Sequence, residues 1–174
     1  MGAEGRYQDY VYLDMLEREW NRPVTDVDFL EIPESHRPAA RSAIIIVFWS
    51  YFETRIERLL REGMRHLPSA VAEDLLRRYA AIGARLDRLY KIVFGSTYLS
   101  DLRILGFSRV ASLLEQVHHA RNAFAHGQPE AISDTLVTDL VSLLKDEHES
   151  WIAAFNKRAT RFATRNEPNP TSAA

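Results

Sequence analysis

The sequence predicts an all-α protein, and three observations predict it. Apolar residues recur at three- and four-residue spacing through each long segment. The most β-branched stretch, AIIIVFWSYF, shows neither strict alternation nor a flanking hairpin signal. Ser, Pro and Gly punctuate the chain where helices would start and stop. The architecture expected is a bundle of four long core helices with short additional helices. With 174 residues, 46% of them hydrophobic, the chain can bury one sizeable core, and no shift of composition divides it. One domain is therefore expected over residues 1–164, followed by a disordered tail at 165–174.

Tyr10, Leu13, Leu16 and Trp20 fall on one helical repeat and give a first helix over residues 7–20. The next stretch, NRPVTDVDFLEIP, has two prolines and no sustained period, so it reads as a loop anchored by Phe29 and Leu30. A long helix is predicted over 37–67, with Pro38 tolerated in its first turn. Its first half is apolar on every side, as expected of a central helix buried by several neighbours. Its second half is amphipathic through Ile56, Leu59, Leu60 and Met64, which leaves Arg55, Arg58, Arg61 and Arg65 to a solvated face. Glu53 projects beside Phe52, Ile56 and Leu60, at the edge of the apolar stripe.

Pro68 and Ser69 open a third helix, whose residues from Leu75 to Val93 form a seam with near-heptad spacing. Gly95 ends it. A short-loop antiparallel partner of the central helix is the commoner use of such a seam than a coiled coil. Ser100 is the predicted cap of a short helix, DLRILGF. Ser133 is the predicted start of the last helix, in which Leu136, Val137, Leu140, Leu144, Trp151, Ile152 and Phe155 carry the period to about residue 161. There is no internal repeat and no Gly-rich phosphate loop.

The absence of cysteine excludes disulfides and thiolate metal sites. The stretch MGAEGRYQDY lacks an apolar signal region, and the longest apolar run, residues 43–49, is too short to span a bilayer. A soluble, cytoplasmic protein without a membrane partner is expected. A net charge of −2 and a pI near 6.3 do not mark a bulk polyanion binder, so any nucleic-acid contact must be local. Lys91, Lys145 and Lys157 are the only lysines. The Arg bias suits bidentate phosphate recognition, although a GC-rich genome produces the same bias.

The chemistry-bearing residues concentrate in SRVASLLEQVHHARNAFAHG, residues 108–127. Val110, Leu113, Leu114, Val117 and Phe124 form its apolar stripe, with Ser108 as N-cap and Gly127 as the C-terminal stop. At about 100° per residue, Arg121 falls within that stripe, while Asn122 and His126 share a flank. A charge aimed at a buried face needs a reason. The dull reasons are an ion pair between Arg121 and Glu53, and an exposed His126 whose protonated form complements the helix dipole. His118, Asn122 and His126 descend one row, but no Asp or Glu joins them and no HExxH or paired Cys occurs, so no metal is expected.

The run Arg121-Asn122-Ala123-Phe124-Ala125-His126, ending a core helix of a small helical chain, resembles the active-site motif of the HEPN superfamily. Those are small all-helical proteins, many of them metal-independent ribonucleases and often toxins of prokaryotic toxin–antitoxin or phage-defence systems. The family motif places a polar residue, commonly Asn, directly after the Arg, and a His four to six residues beyond the Arg; this chain has both. The resemblance implies a stand-alone HEPN-like helical bundle, of the RiboL-PSP or toxin-like kind. It implies an endoribonuclease that cleaves RNA to a 2′,3′-cyclic phosphate and a 5′-hydroxyl, with no cofactor.

In that role His126 takes the proton from a ribose 2′-hydroxyl or gives one to the leaving 5′-oxygen. Arg121 holds the scissile phosphate and stabilises the transition state. Asn122 fixes the imidazole tautomer or contacts substrate. Glu53 is matched by position only, as a supporting carboxylate. The family further implies a homodimer with the motifs of two protomers facing one cleft. His118 and His119, one turn before the motif on the same helix, are candidate interface or substrate contacts. The family also implies a cognate antitoxin or nucleotidyltransferase as partner. The alternative is a HEPN-like bundle acting purely as a binding module for such a partner.

Overall fold

The longest element is a helix of 27 residues, α1 (Arg37–Gly63). It is followed by α2 (Ser69–Arg78), α3 (Ile82–Ala84), a π-helical turn at Arg85–Leu89, α4 (Tyr90–Phe94), α5 (Tyr98–Ile104), α6 (Ser108–Ala125), a 3-10 turn at Pro129–Ala131, α7 (Asp134–Ser142) and α8 (Leu144–Ala163). The computed structural model describes residues 14–18 and 37–163. Among these there is no strand, so the protein is all-α. Of the predicted first helix only 14–18 is described, and it is helical with Leu16 buried. The loop with Phe29 and Leu30, and the tail at 165–174, lie outside the described residues.

Two compact units divide the chain. The first holds the described residues up to 51 with 109–148. Ser42, Ile45, Phe48 and Trp49 of α1 are buried there, as are Val110, Leu113, Leu114 and Val117 of α6 and Leu136, Val137 and Leu140 of α7. Arg41 of α1 pairs with Asp134 at the start of α7. The expectation that the first half of α1 is covered on every side is corrected by its other face. Ala43, Ile46, Val47 and Ser50 are exposed, Ile46 at 41% and Val47 at 37%. They follow the spacing i, i+3, i+4, i+7, one side of a helix, so neighbours cover the Ile45–Phe48–Trp49 side and leave the opposite one to solvent.

The second unit holds residues 52–108 with those from 149 onward. Its aromatic core joins Phe52 to Tyr98 (ring centroids 5.9 Å apart), Tyr98 to Tyr90 (5.6 Å) and Tyr90 to Phe94 (4.5 Å). The solvated arginine face expected of the second half of the long helix holds for Arg61 and Arg65, which are exposed, and is corrected for the other two: Arg55 is buried at 1% exposure, and Arg58 is half-buried. Both guanidinium groups lie over the buried Trp151 ring, 5.4 and 4.7 Å from its centroid. A planar cation over an indole keeps electrostatic compensation inside an apolar core, an option that helical periodicity does not register.

The predicted third helix does not run unbroken. α2 ends at Arg78 with Tyr79 as its C-cap, Ala81 is extended (φ −68°, ψ 132°), and the chain re-enters through α3 and a π turn before α4. Arg85 explains how the break is tolerated, because its Nε donates to the carbonyl of Tyr79 (3.1 Å) and its Nη1 pairs with Glu57 (3.0 Å). The guanidinium satisfies a backbone oxygen that the ended helix leaves unpaired. The predicted last helix is likewise divided, at Leu143 between α7 and α8. The cap of the short helix is Thr97 rather than Ser100: the Thr97 hydroxyl accepts from the Ser100 backbone N–H (3.2 Å). Ser133 caps α7 as predicted, accepting from Leu136 N–H (3.1 Å).

A buried polar knot ties α4, α5 and α8 within this unit. Asp101, 1% exposed, accepts hydrogen bonds from Arg158 Nε (2.6 Å), Tyr90 Oη (2.8 Å) and Ser96 Oγ (2.9 Å), with Lys157 Nζ at 3.4 Å. Arg158, itself 5% exposed, also donates to the Phe94 carbonyl (3.0 Å) and to Ser96. Burial works against the Asp101 carboxylate, but the bonds from Arg158, Tyr90 and Ser96 and the Arg158 charge outweigh it, so its pKa lies below the ordinary value. Burial first, then the neighbouring carboxylate, pushes the Tyr90 phenol far above its ordinary range.

Candidate active site

The end of α6 is built by a specific backbone device. Gly127 N–H donates to the Phe124 carbonyl (3.0 Å) and Gln128 N–H to the Ala123 carbonyl (3.1 Å), with Gly127 at φ 86°. This is the paired 5→2 and 6→1 bonding of a Schellman stop, and the left-handed residue in it is most readily glycine. The predicted C-terminal stop is thus in place. Its consequence is positional: His126 becomes the cap residue of α6, its N–H shared between the carbonyls of Asn122 (3.1 Å) and Ala123 (3.0 Å). The imidazole is on an exposed residue at the helix end.

Arg121 and Asn122 lie half-buried in the preceding turn. Arg121 Nη1 donates to Asn122 Oδ1 (3.2 Å), which turns the guanidinium from the apolar stripe toward the flank that carries Asn122. The sequence places Arg121 within the stripe; the hydrogen bond shows how the charged head of a half-buried side chain reaches the flank.

One turn earlier stand the tandem histidines. His118 is half-buried, and its ring lies parallel to that of the buried Trp49 on α1, with centroids 5.4 Å apart and planes 5° apart. His119 is exposed, its ring centroid 5.9 Å from that of His118 at 26°. Trp49 is the member of this cluster that sequence reasoning missed. It is 69 positions from His118, and nothing in the local pattern of either helix links them.

Arg121, Asn122, His126, His118 and His119 all belong to the first unit. Glu53 is half-buried on α1 within the second. Among the described residues, no group of three His, Asp or Glu side chains is arranged as a metal site. No described helix is long and apolar enough to cross a membrane.

Fold and site together define an all-α protein that presents an Arg-Asn pair and an exposed histidine at the capped end of one helix. Comparison with protein-family models, with curated proteins and with solved structures returns no match to this chain.

Proposed function

We propose that the protein is a metal-independent endoribonuclease of the HEPN type, with Arg121, Asn122 and His126 as its catalytic residues. One observation carries the reading. The three residues occupy the last turn and cap of a single helix, with the guanidinium hydrogen-bonded to Asn122 and the histidine open to solvent.

The reaction that such groups serve is internal transphosphorylation. The ribose 2′-oxygen attacks the adjacent phosphorus while a base removes its proton; the bond from phosphorus to the 5′-oxygen breaks, and that oxygen takes up a proton. The products are a 2′,3′-cyclic phosphate and a 5′-hydroxyl. Histidine ordinarily titrates near neutral pH and serves either proton transfer. An arginine fork matches two phosphate oxygens and stabilises the added charge of the pentacoordinate state. Asn122, bonded to Arg121, holds the guanidinium toward the flank on which the reaction would occur.

Arg121 and His126 are five residues apart, about 140° around a straight helix axis. A second copy related by a two-fold axis beside α6 would bring Arg121 of one chain toward His126 of the other, so the reading includes a homodimer. The biological setting it fits is a toxin or phage-defence effector restrained by a cognate antitoxin or nucleotidyltransferase.

The experiment is cleavage of single-stranded RNA by the purified protein in EDTA, with analysis of the termini. Cyclic phosphate products that disappear in both Arg121→Ala and His126→Ala, with the helical spectrum retained, are expected. Unaltered cleavage in either variant would refute the assignment. Folded wild-type protein that cuts no RNA but binds a partner would move the chain to the binding-module class.

A further inference from the structure

The ring cluster on the N-terminal side of the proposed site has a graded exposure that a core cluster lacks. Trp49 is buried at 1%, His118 rests on it half-buried, and His119 continues the contact into solvent. The indole fixes the first imidazole, and the first imidazole limits the second. An exposed ring held by a buried stack has less rotamer freedom to lose when another ring covers it. His119 is also aligned with the proposed chemistry. It precedes His126 by seven residues, which on a helix is within about 20° of two full turns and about 10 Å along the axis. Asn122, which accepts from the Arg121 guanidinium, lies on the same side between them.

We infer that His119 is a base-stacking platform for an unpaired nucleotide adjoining the phosphate held at Arg121 and His126. This rests on the ribonuclease reading and adds a binding residue to it. One side of the His119 ring is taken by His118, which leaves its other face for a base to stack on. Bases within a duplex have both faces occupied by their neighbours, whereas unpaired nucleotides offer a face to an aromatic side chain. Such stacking tolerates any base, since each has a π-face. It also suits a chain of net charge −2, because the grip on RNA then does not depend on a broad basic surface.

The test is binding of a mixed-sequence RNA strand made uncleavable with 2′-O-methyl riboses, measured by fluorescence anisotropy. Three controls accompany it: the same strand annealed to its complement, a strand of abasic riboses, and cleavage of the unmodified strand. His119→Ala, at an exposed position, should weaken binding of the single strand about tenfold, and His119→Tyr should restore it. The abasic strand should bind wild type and His119→Ala alike, and the duplex should bind wild type more weakly than the single strand. Equal binding of the single strand by wild type and His119→Ala overturns the inference. So does a tenfold difference that persists on the abasic strand, which would mean a phosphate contact. A dimer that dissociates in His119→Ala on ultracentrifugation would reassign the ring to self-association and also overturn it. Cleavage separates the two readings: RNA cut normally by His119→Ala with unchanged affinity removes the platform alone. Strands bound through His119 but never cut remove the ribonuclease alone.

Discussion

Asp101→Ala should be among the most destabilising substitutions in the second unit, and the reason is what it leaves behind. Asp101 is the acceptor for Arg158, Tyr90 and Ser96, at 1% exposure. Its removal strands a guanidinium that is itself 5% exposed and keeps only neutral acceptors among its remaining hydrogen bonds, the Phe94 carbonyl and Ser96. Breaking a buried pair from one side costs about 3–5 kcal/mol, against a total stability of about 5–15 kcal/mol for an ordinary domain. With a urea slope of about 2 kcal/mol/M, the midpoint should fall by roughly 2 M. Arg158→Met should cost a comparable amount, because it leaves the carboxylate instead. The double variant should cost clearly less than the sum, with a coupling of about 2 kcal/mol, since no charge is then stranded. The pH dependence has a definite sign. Asp101 has a depressed pKa in the folded protein, so its contribution is complete above the unfolded value of about 3.9 and is lost as pH falls through the folded one. The acid limb of the stability profile should therefore flatten in Asp101→Asn. Urea unfolding followed by circular dichroism reads all of this. Single variants each costing under about 1 kcal/mol, or additive costs, would refute the claim that the knot acts as one desolvated unit.

Three further outcomes are expected. Gly127→Ala places a Cβ in open space but at φ 86°, so its cost is backbone strain alone, about 1–2 kcal/mol; because His126 is set by the same stop, the proposed RNA cleavage should fall as well, and cleavage that is present and unchanged would disconnect the stop from the site. Gly63→Ala would drive its Cβ into the Phe94 ring and Val93 Cγ1, an overlap in a buried contact between α1 and α4 that should cost about 1–3 kcal/mol in thermal or urea unfolding, whereas a neutral result would mean those side chains move aside freely. If the proposed dimer pairs Arg121 of one chain with His126 of the other, an equal mixture of inactive Arg121→Ala and His126→Ala proteins should regain roughly a quarter of wild-type sites on subunit exchange; no recovery, with exchange confirmed by mass spectrometry, would count against the cross-chain site.

What could be read from the sequence is what depends on near neighbours in the chain. The helical character of 37–63 and 108–125, the Ser133 cap and the Gly127 stop follow from three- and four-residue spacing and from single-residue backbone preferences. The Arg121-Asn122-x-x-x-His126 arrangement is legible for the same reason, since its members share one helix end. Tertiary structure decided what depends on partners remote in sequence. Arg55 looked like a surface charge because a helical wheel records spacing and not the Trp151 ring that covers the guanidinium from 96 residues away. The seam from Leu75 to Val93 looked continuous because periodicity does not see that Arg85 can satisfy the carbonyl of Tyr79 across a break. Asp101 and Arg158 are unremarkable apart, and 57 residues separate them. Trp49 gives no local sign that it backs His118. Propensity and capping are energies of a few neighbouring residues and are written in order along the chain; desolvated charges and stacked rings draw their energy from groups that only the folded backbone brings together.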